Sequence, residues 1–197
     1  MDKDLLSDIE LKNALLFPEK CVTFFGSARF DDSNKYCIKA CELAKRLASS
    51  EYTIITGGGG GIMKAANKGA SRAGKDSYGL NIVLPNEQIV NEFVTKQSTF
   101  SSLALRKATL IEKARNFVVF PGGFGTLDEL FEVLVLVQNG IKEASIYLYG
   151  VEFHTPLLEF LENSLVSEKA ISKVDLGIFT LTDSIDEIFE NITKEEQ

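Results

Sequence analysis

The sequence predicts an α/β fold, an open and mostly parallel sheet of about seven strands with helices on both faces. Two observations carry this. Short apolar runs rich in β-branched and aromatic residues alternate with stretches of helical periodicity along the whole chain, as doubly buried strands and crossover helices do. Two of these runs, ending at Thr56 and Pro121, pass straight into glycine clusters that open helices, the form a ligand-binding sheet edge takes in such proteins. The 197 residues suffice for one domain with a substantial core, spanning 1–197 with residues 1–18 as a packed N-terminal helix.

Taken in order, Leu5, Leu6, Ile9, Leu15 and Leu16 recur at helical spacing and predict a helix from about Asp4 to Phe17, ended by Pro18. Cys21 to Phe25 is the first strand, followed by Gly26-Ser27-Ala28-Arg29, where Ser27 and Arg29 could each touch an anion or form an ordinary turn. A helix over Ser33 to Ser49 and a strand over Tyr52 to Thr56 follow. Gly57 to Gly61 are then five consecutive glycines before a helix that Gly74 caps. Tyr78 to Val83 is a strand holding one polar residue, Asn81, and Leu84 to Gln88 is expected to loop over the sheet edge. A weak strand at Phe93 to Gln97 precedes a helix at Ser101 to Ala114, which carries Arg106 and Lys107. After Phe117 to Pro121, a helix from Thr126 to Asn139 ends at Gly140. The chain closes with strand Ser145 to Tyr149, helix His154 to Ser167, strand Ile178 to Leu181 and helix Ser184 to Ile192 with Asp183 as its cap.

Composition narrows the function. A net charge of −7, with no arginine-rich or aromatic-interleaved basic run, argues against a nucleic-acid polymer as partner. No apolar run is long enough to span a bilayer, and the acidic N-terminal stretch is unlike a secretory signal, so no membrane partner is expected. Cys21, Cys37 and Cys41 lack the spacing of a zinc or redox pair, and His154 is the single histidine; no metal is expected, and a reducing cytoplasm fits.

Two familiar phosphate motifs fail. Starting the dinucleotide pattern at Gly57, Gly58 or Gly59 puts Ile62, Met63 or Lys64 where its third glycine belongs. Gly69 to Asp76 (GASRAGKD) approaches a P-loop, but Asp76 replaces the metal-binding hydroxyl and the segment ends a helix instead of starting one.

Asn116 to Glu132 (NFVVFPGGFGTLDELFE) carries the chemistry. Gly122, Gly123 and Gly125 let the backbone turn tightly against a ligand, and Thr126 opens a helix whose unpaired amides and dipole favour an anion such as phosphate. Glu129 lies one helical turn beyond Thr126, placed to face whatever the phosphate is attached to.

The stretches Thr56-Gly57-Gly58-Gly59-Gly60-Gly61-Ile62-Met63-Lys64-Ala65-Ala66-Asn67 and Pro121-Gly122-Gly123-Phe124-Gly125-Thr126-Leu127-Asp128-Glu129 resemble the LOG (Lonely Guy) family, as do Gly26 to Arg29, Gly79 to Pro85 and the Arg106-Lys107 pair. The resemblance covers about Val22 to Gly150. It implies a Rossmann-like fold, a homodimer or larger homo-oligomer, no cofactor, and hydrolysis of nucleoside 5′-monophosphates (AMP or N6-modified AMP such as a cytokinin riboside monophosphate) to base and ribose 5-phosphate. Arg106 and Glu129 match the family's catalytic pair. Gly122, Gly123, Gly125 and Thr126 would hold the phosphate, and Gly26, Ser27, Gly58, Gly59, Gly61, Met63, Asn81 and Lys107 would complete the nucleotide site. Lys64, Gly60 and Ser101-Ser102-Leu103 depart from residues common in the family. The label "possible lysine decarboxylase" often given to it finds no support, since such an enzyme holds pyridoxal phosphate on a lysine and no segment here argues for one. The alternative is a non-catalytic protein of the same superfamily that binds nucleotide or molybdenum cofactor.

Overall fold

A computed structural model describes residues 3–83 and 89–194. They form, in order, α1 (Lys3–Ala14), β1 (Cys21–Phe25), α2 (Lys35–Ser49), β2 (Thr53–Thr56), α3 (Gly61–Arg72), β3 (Ser77–Ile82), β4 (Lys96–Phe100), α4 (Leu103–Glu112), β5 (Asn116–Val119), α5 (Phe124–Gln138), β6 (Ser145–Tyr149), α6 (Val151–Phe160), β7 (Phe179–Thr182) and α7 (Ile185–Lys194). A π-helical turn, Leu161–Val166, prolongs α6, and a 3-10 segment, Lys173–Ile178, leads into β7.

Among the described residues the strands make one sheet in the order β4-β3-β2-β1-β5-β6-β7. Every adjacent pair is parallel, so the expected mostly parallel sheet is parallel throughout. The chain steps outward from β1 to β4, then returns to β1's other edge with β5. That reversal opens a crevice at the carboxyl ends of β1 and β5, and the two glycine turns emerge beside it, from β2 and β5.

Alternate strand residues feed two cores. Val22, Phe24, Ile54, Val118 and Phe120 pack with α2, α3 and α7 on one face. Cys21, Phe25, Ile55, Phe117 and Val119 pack with α4 and α5 on the other. Burying both faces is why these strands read as unbroken apolar runs.

The departures from expectation have local causes. β4 sits three residues later than the predicted Phe93 to Gln97, because Thr95 is held before the strand: its Oγ1 accepts from Ser77 N–H at 2.9 Å. As an edge strand β4 pairs with β3 alone and keeps Lys96, Gln97 and Thr99 exposed, so no apolar run marks it. α6 begins at Val151, three residues before the predicted His154 start, since Gly150 at φ 105° makes the turn. His154 is therefore inside the helix, buried, with Nδ1 3.1 Å from Gly150 O. Asp183 does not cap α7; its Oδ1 accepts from Val151 N–H at 2.9 Å at the start of α6, while Ser184 Oγ accepts from Glu187 N–H at 3.1 Å. Gly74 and Gly140 take the positive φ expected of helix-ending glycines, both +67°. The expected loop Leu84 to Gln88 lies outside the described residues.

Candidate active site

The site is assembled where β1, β2 and β5 end. Glycines 57–60 link β2 to α3, and Phe120 to Gly123 link β5 to α5. Gly60 and Gly123 are the N-caps of these two helices, and neither supplies a side-chain cap. Both helices therefore present first-turn donors at the same sheet edge.

Ser27 ties the two turns together. Its N–H donates to Pro121 O at 3.0 Å, and its carbonyl accepts from Ile62 N–H at 2.9 Å. Gly26 is needed behind it, since a Cβ there would stand 2.7 Å from Ile62 Cγ1. Gly61, at φ +59°, passes so close to Ser27 O that any side chain would collide with it. Gly58, at φ +74°, donates its N–H to Thr56 Oγ1 at 3.0 Å.

Arg106 reaches this edge from α4 and Glu129 from the second turn of α5. Both are about nine-tenths buried. Arg106 Nη1 donates to Glu129 Oε1 at 2.9 Å, and its Nε donates to Leu80 O at 3.0 Å. The guanidinium lies directly against Gly57: a Cβ on that glycine would meet Arg106 Nη2, and Met63 Sδ would be 2.9 Å away. Gly57 is thus the space into which Arg106 fits. Burial pushes the Glu129 carboxyl above the ordinary glutamate value of 4.5, and the charge and hydrogen bond of Arg106 pull it part of the way back. A buried carboxylate of raised proton affinity beside a fixed cation can accept a proton from water or face a developing positive charge.

Thr126 is buried on the first turn of α5, its hydroxyl occupying the space a Gly122 side chain would need. Gly123 and Gly125 have open space where a Cβ would point. Asn81 is buried on β3, with Oδ1 accepting from Ile82 N–H at 2.9 Å, next to the Leu80 carbonyl that orients Arg106. Lys107 is held by carboxylates of α5, its ammonium 2.8 Å from Asp128 and 2.9 Å from Glu132. Ser27 Oγ accepts from the N–H of Arg29, an exposed residue, at 3.1 Å.

Sequence reasoning passed over three polar residues. Asn67 and Asn91 are buried beside the glycine loop and hydrogen-bonded to each other at 3.0 Å. Asp8 of α1 is also buried, and its carboxylate accepts from Ser101 N–H at 2.9 Å and Ser102 N–H at 2.6 Å at the head of α4. Asn67 lies inside the TGGGGGIMKAAN stretch, which was a signal; for Asn91 and Asp8 the sequence held none.

Comparison with known proteins agrees with this geometry. A family model described as "possible lysine decarboxylase" matches residues 63–192. The cytokinin riboside 5′-monophosphate phosphoribohydrolase LOG1 of Arabidopsis thaliana is 31% identical over 182 residues, covering 89% of this chain and 83% of that protein. The phosphoribohydrolase LOG of Oryza sativa subsp. japonica is 32% identical over 161 residues, covering 80% of this chain and 65% of that one. Among solved structures, the molybdenum cofactor carrier protein of Chlamydomonas reinhardtii superposes with a TM-score of 0.63 at 19% identity, over 90% of this chain and 98% of that chain. At that identity the likeness is one of fold. The sequence relatives and the family model together place the chain, with its two glycine turns and its Arg106–Glu129 pair, in the LOG family.

Proposed function

We propose that this protein hydrolyses the N-glycosidic bond of nucleoside 5′-monophosphates, AMP or an N6-modified AMP such as a cytokinin riboside monophosphate. The observation that carries this reading is the buried Arg106–Glu129 pair, with Arg106 against the glycine turn before α3 and Glu129 on α5 just past the other glycine turn. The phosphate docks on the amides of Gly122, Gly123, Gly125 and the Thr126 hydroxyl, which puts the ribose one helical turn further along, against Glu129. As the base departs, the ribose becomes electron-poor, and the Glu129 carboxylate stabilises it and orients water. Water adds across the C1′–N bond: its oxygen becomes the anomeric hydroxyl of ribose 5-phosphate, and one hydrogen goes to the base. Arg106 keeps the carboxylate oriented and offers its remaining donors to ribose or phosphate oxygens.

Incubation with AMP is expected to release adenine and ribose 5-phosphate, followed by product chromatography. Glu129→Ala should cost roughly 2 to 4 kcal/mol of transition-state stabilisation, or about thirtyfold to a thousandfold in kcat, with the fold intact. Full activity in that variant would end the assignment. Wild type that binds AMP but releases no base from any common nucleoside monophosphate would leave the carrier reading instead. The family resemblance also carries a homodimer, for which α5 leaves Phe124 and Val135 exposed toward a second copy. The three unpaired cysteines suit a reducing, cytoplasmic setting.

A further inference from the structure

Five glycines in a row fix no conformation by themselves; the Gly57 to Gly61 loop must be held by something else. Asn91, 30 residues beyond the loop and in no helix or strand, does this. Its backbone N–H donates to Gly58 O at 2.9 Å. Its Nδ2 lies 3.0 Å from Gly58 O, 2.9 Å from Gly59 O and 3.0 Å from Asn67 Oδ1. Its Oδ1 accepts from Phe93 N–H at 3.1 Å.

The surrounding hydrogen bonds settle which end of each amide is which. Ser77 Oγ donates to Phe93 O at 3.3 Å, so it accepts from Asn67 Nδ2 at 2.9 Å. Asn67 Oδ1 therefore faces the Thr56 hydroxyl at 2.9 Å and the Asn91 amide. Thr56 Oγ1, having given its proton, accepts from Gly58 N–H. Each member of this buried chain has one self-consistent role.

A trans peptide unit points its C=O and N–H in opposite directions. Clamping the carbonyl of Gly58 against Asn91 thus turns the N–H of Gly59 away from Asn91, and clamping that of Gly59 does the same to Gly60. Neither N–H donates to any group among the described residues. Gly59 is nevertheless buried, and an unpaired buried amide calls for a partner. Gly57, two residues earlier, packs against the Arg106 guanidinium.

We infer that Asn91 is a positioning residue, which aims the Gly59 and Gly60 amides at an oxygen of the bound nucleotide. The inference rests on the nucleotide reading above. Asn91→Ala removes the clamp, and Asn91→Asp keeps the acceptor for Phe93 while setting a carboxylate oxygen against two carbonyls.

Titration calorimetry with AMP, and NMR of protein labelled with 15N-glycine, test it. Both variants should bind AMP at least tenfold more weakly than wild type, with KM rising more than kcat falls. In wild type, AMP should move the Gly59 and Gly60 amide protons downfield. Folded variants that bind AMP as wild type does overturn the inference. So does a wild type that binds AMP with both glycine signals unmoved, which decides the matter even if neither variant folds. A wild type that binds neither AMP nor an N6-modified AMP sinks the nucleotide reading, and this inference with it.

Discussion

At the residue scale the site depends on which polar groups are buried and what faces them. Glu129 was legible because a carboxylate one turn into a helix that already favours an anion serves no purpose in a simple phosphate cradle. Its partner was legible only through resemblance: Arg106 sits 23 residues earlier, and nothing in the local sequence distinguishes it from a solvated arginine. The pair has a consequence for pH. Burial raises the Glu129 pKa above 4.5, so the folded state holds this proton more tightly than the unfolded chain does. Stability from this group is complete below 4.5 and is lost as pH rises through the raised value. Glu129→Gln cannot ionise and escapes that loss. Urea midpoints between pH 4 and 8 should therefore move in favour of the variant as pH rises; midpoints that stay parallel would contradict the assigned environment. Wild-type kcat/KM, which on the proposed mechanism needs the carboxylate of the free protein, should fall on acidification with a midpoint above 4.5.

At the element scale, helix ends were readable where a glycine marks them by backbone geometry, and buried strands where the apolar run is unbroken. Gly74 and Gly140 end helices with positive φ, and β1 and β6 coincide with their predicted runs. The elements misjudged are those whose boundaries depend on distant partners. β4 is an edge strand fixed by Ser77 and Thr95, and α6 owes its capping contact to Asp183, 32 residues away. α1 belongs with these. Its periodicity predicted packing and nothing more, yet Asp8 satisfies two backbone donors at the head of the helix that carries Arg106. Asp8→Ala takes the acceptor from those part-buried donors, which should destabilise the protein by about 1 kcal/mol in urea unfolding. A change under about 0.3 kcal/mol would mean that water replaces the carboxylate at no cost.

At the scale of the whole molecule, a parallel sheet covered on both faces brings two glycine turns, the second beginning 65 residues after the first, to one edge. The chain's net charge of −7 offers a nucleotide no general attraction, so the proposed anion capture has to be local, by helix N-termini and Arg106. The proposed homodimer belongs at this scale too. Sedimentation should give about twice the 21.7 kDa chain mass, and Val135→Glu should lower it by placing a charge in the exposed apolar stripe of α5; a wild type that sediments as a monomer would remove the proposal. The sequence by itself determined the fold class and the strand–glycine–helix form of both turns, and it singled out Glu129 for the proposed chemistry, because apolar period and glycine geometry are local properties. Only the tertiary structure decided that Arg106 lies on Gly57, that Lys107 pairs with Asp128 and Glu132, and that Asn91 holds the glycine loop. Hydrogen bonds and ion pairs join residues far apart in sequence, and no residue type announces a partner that folding alone brings within 3 Å.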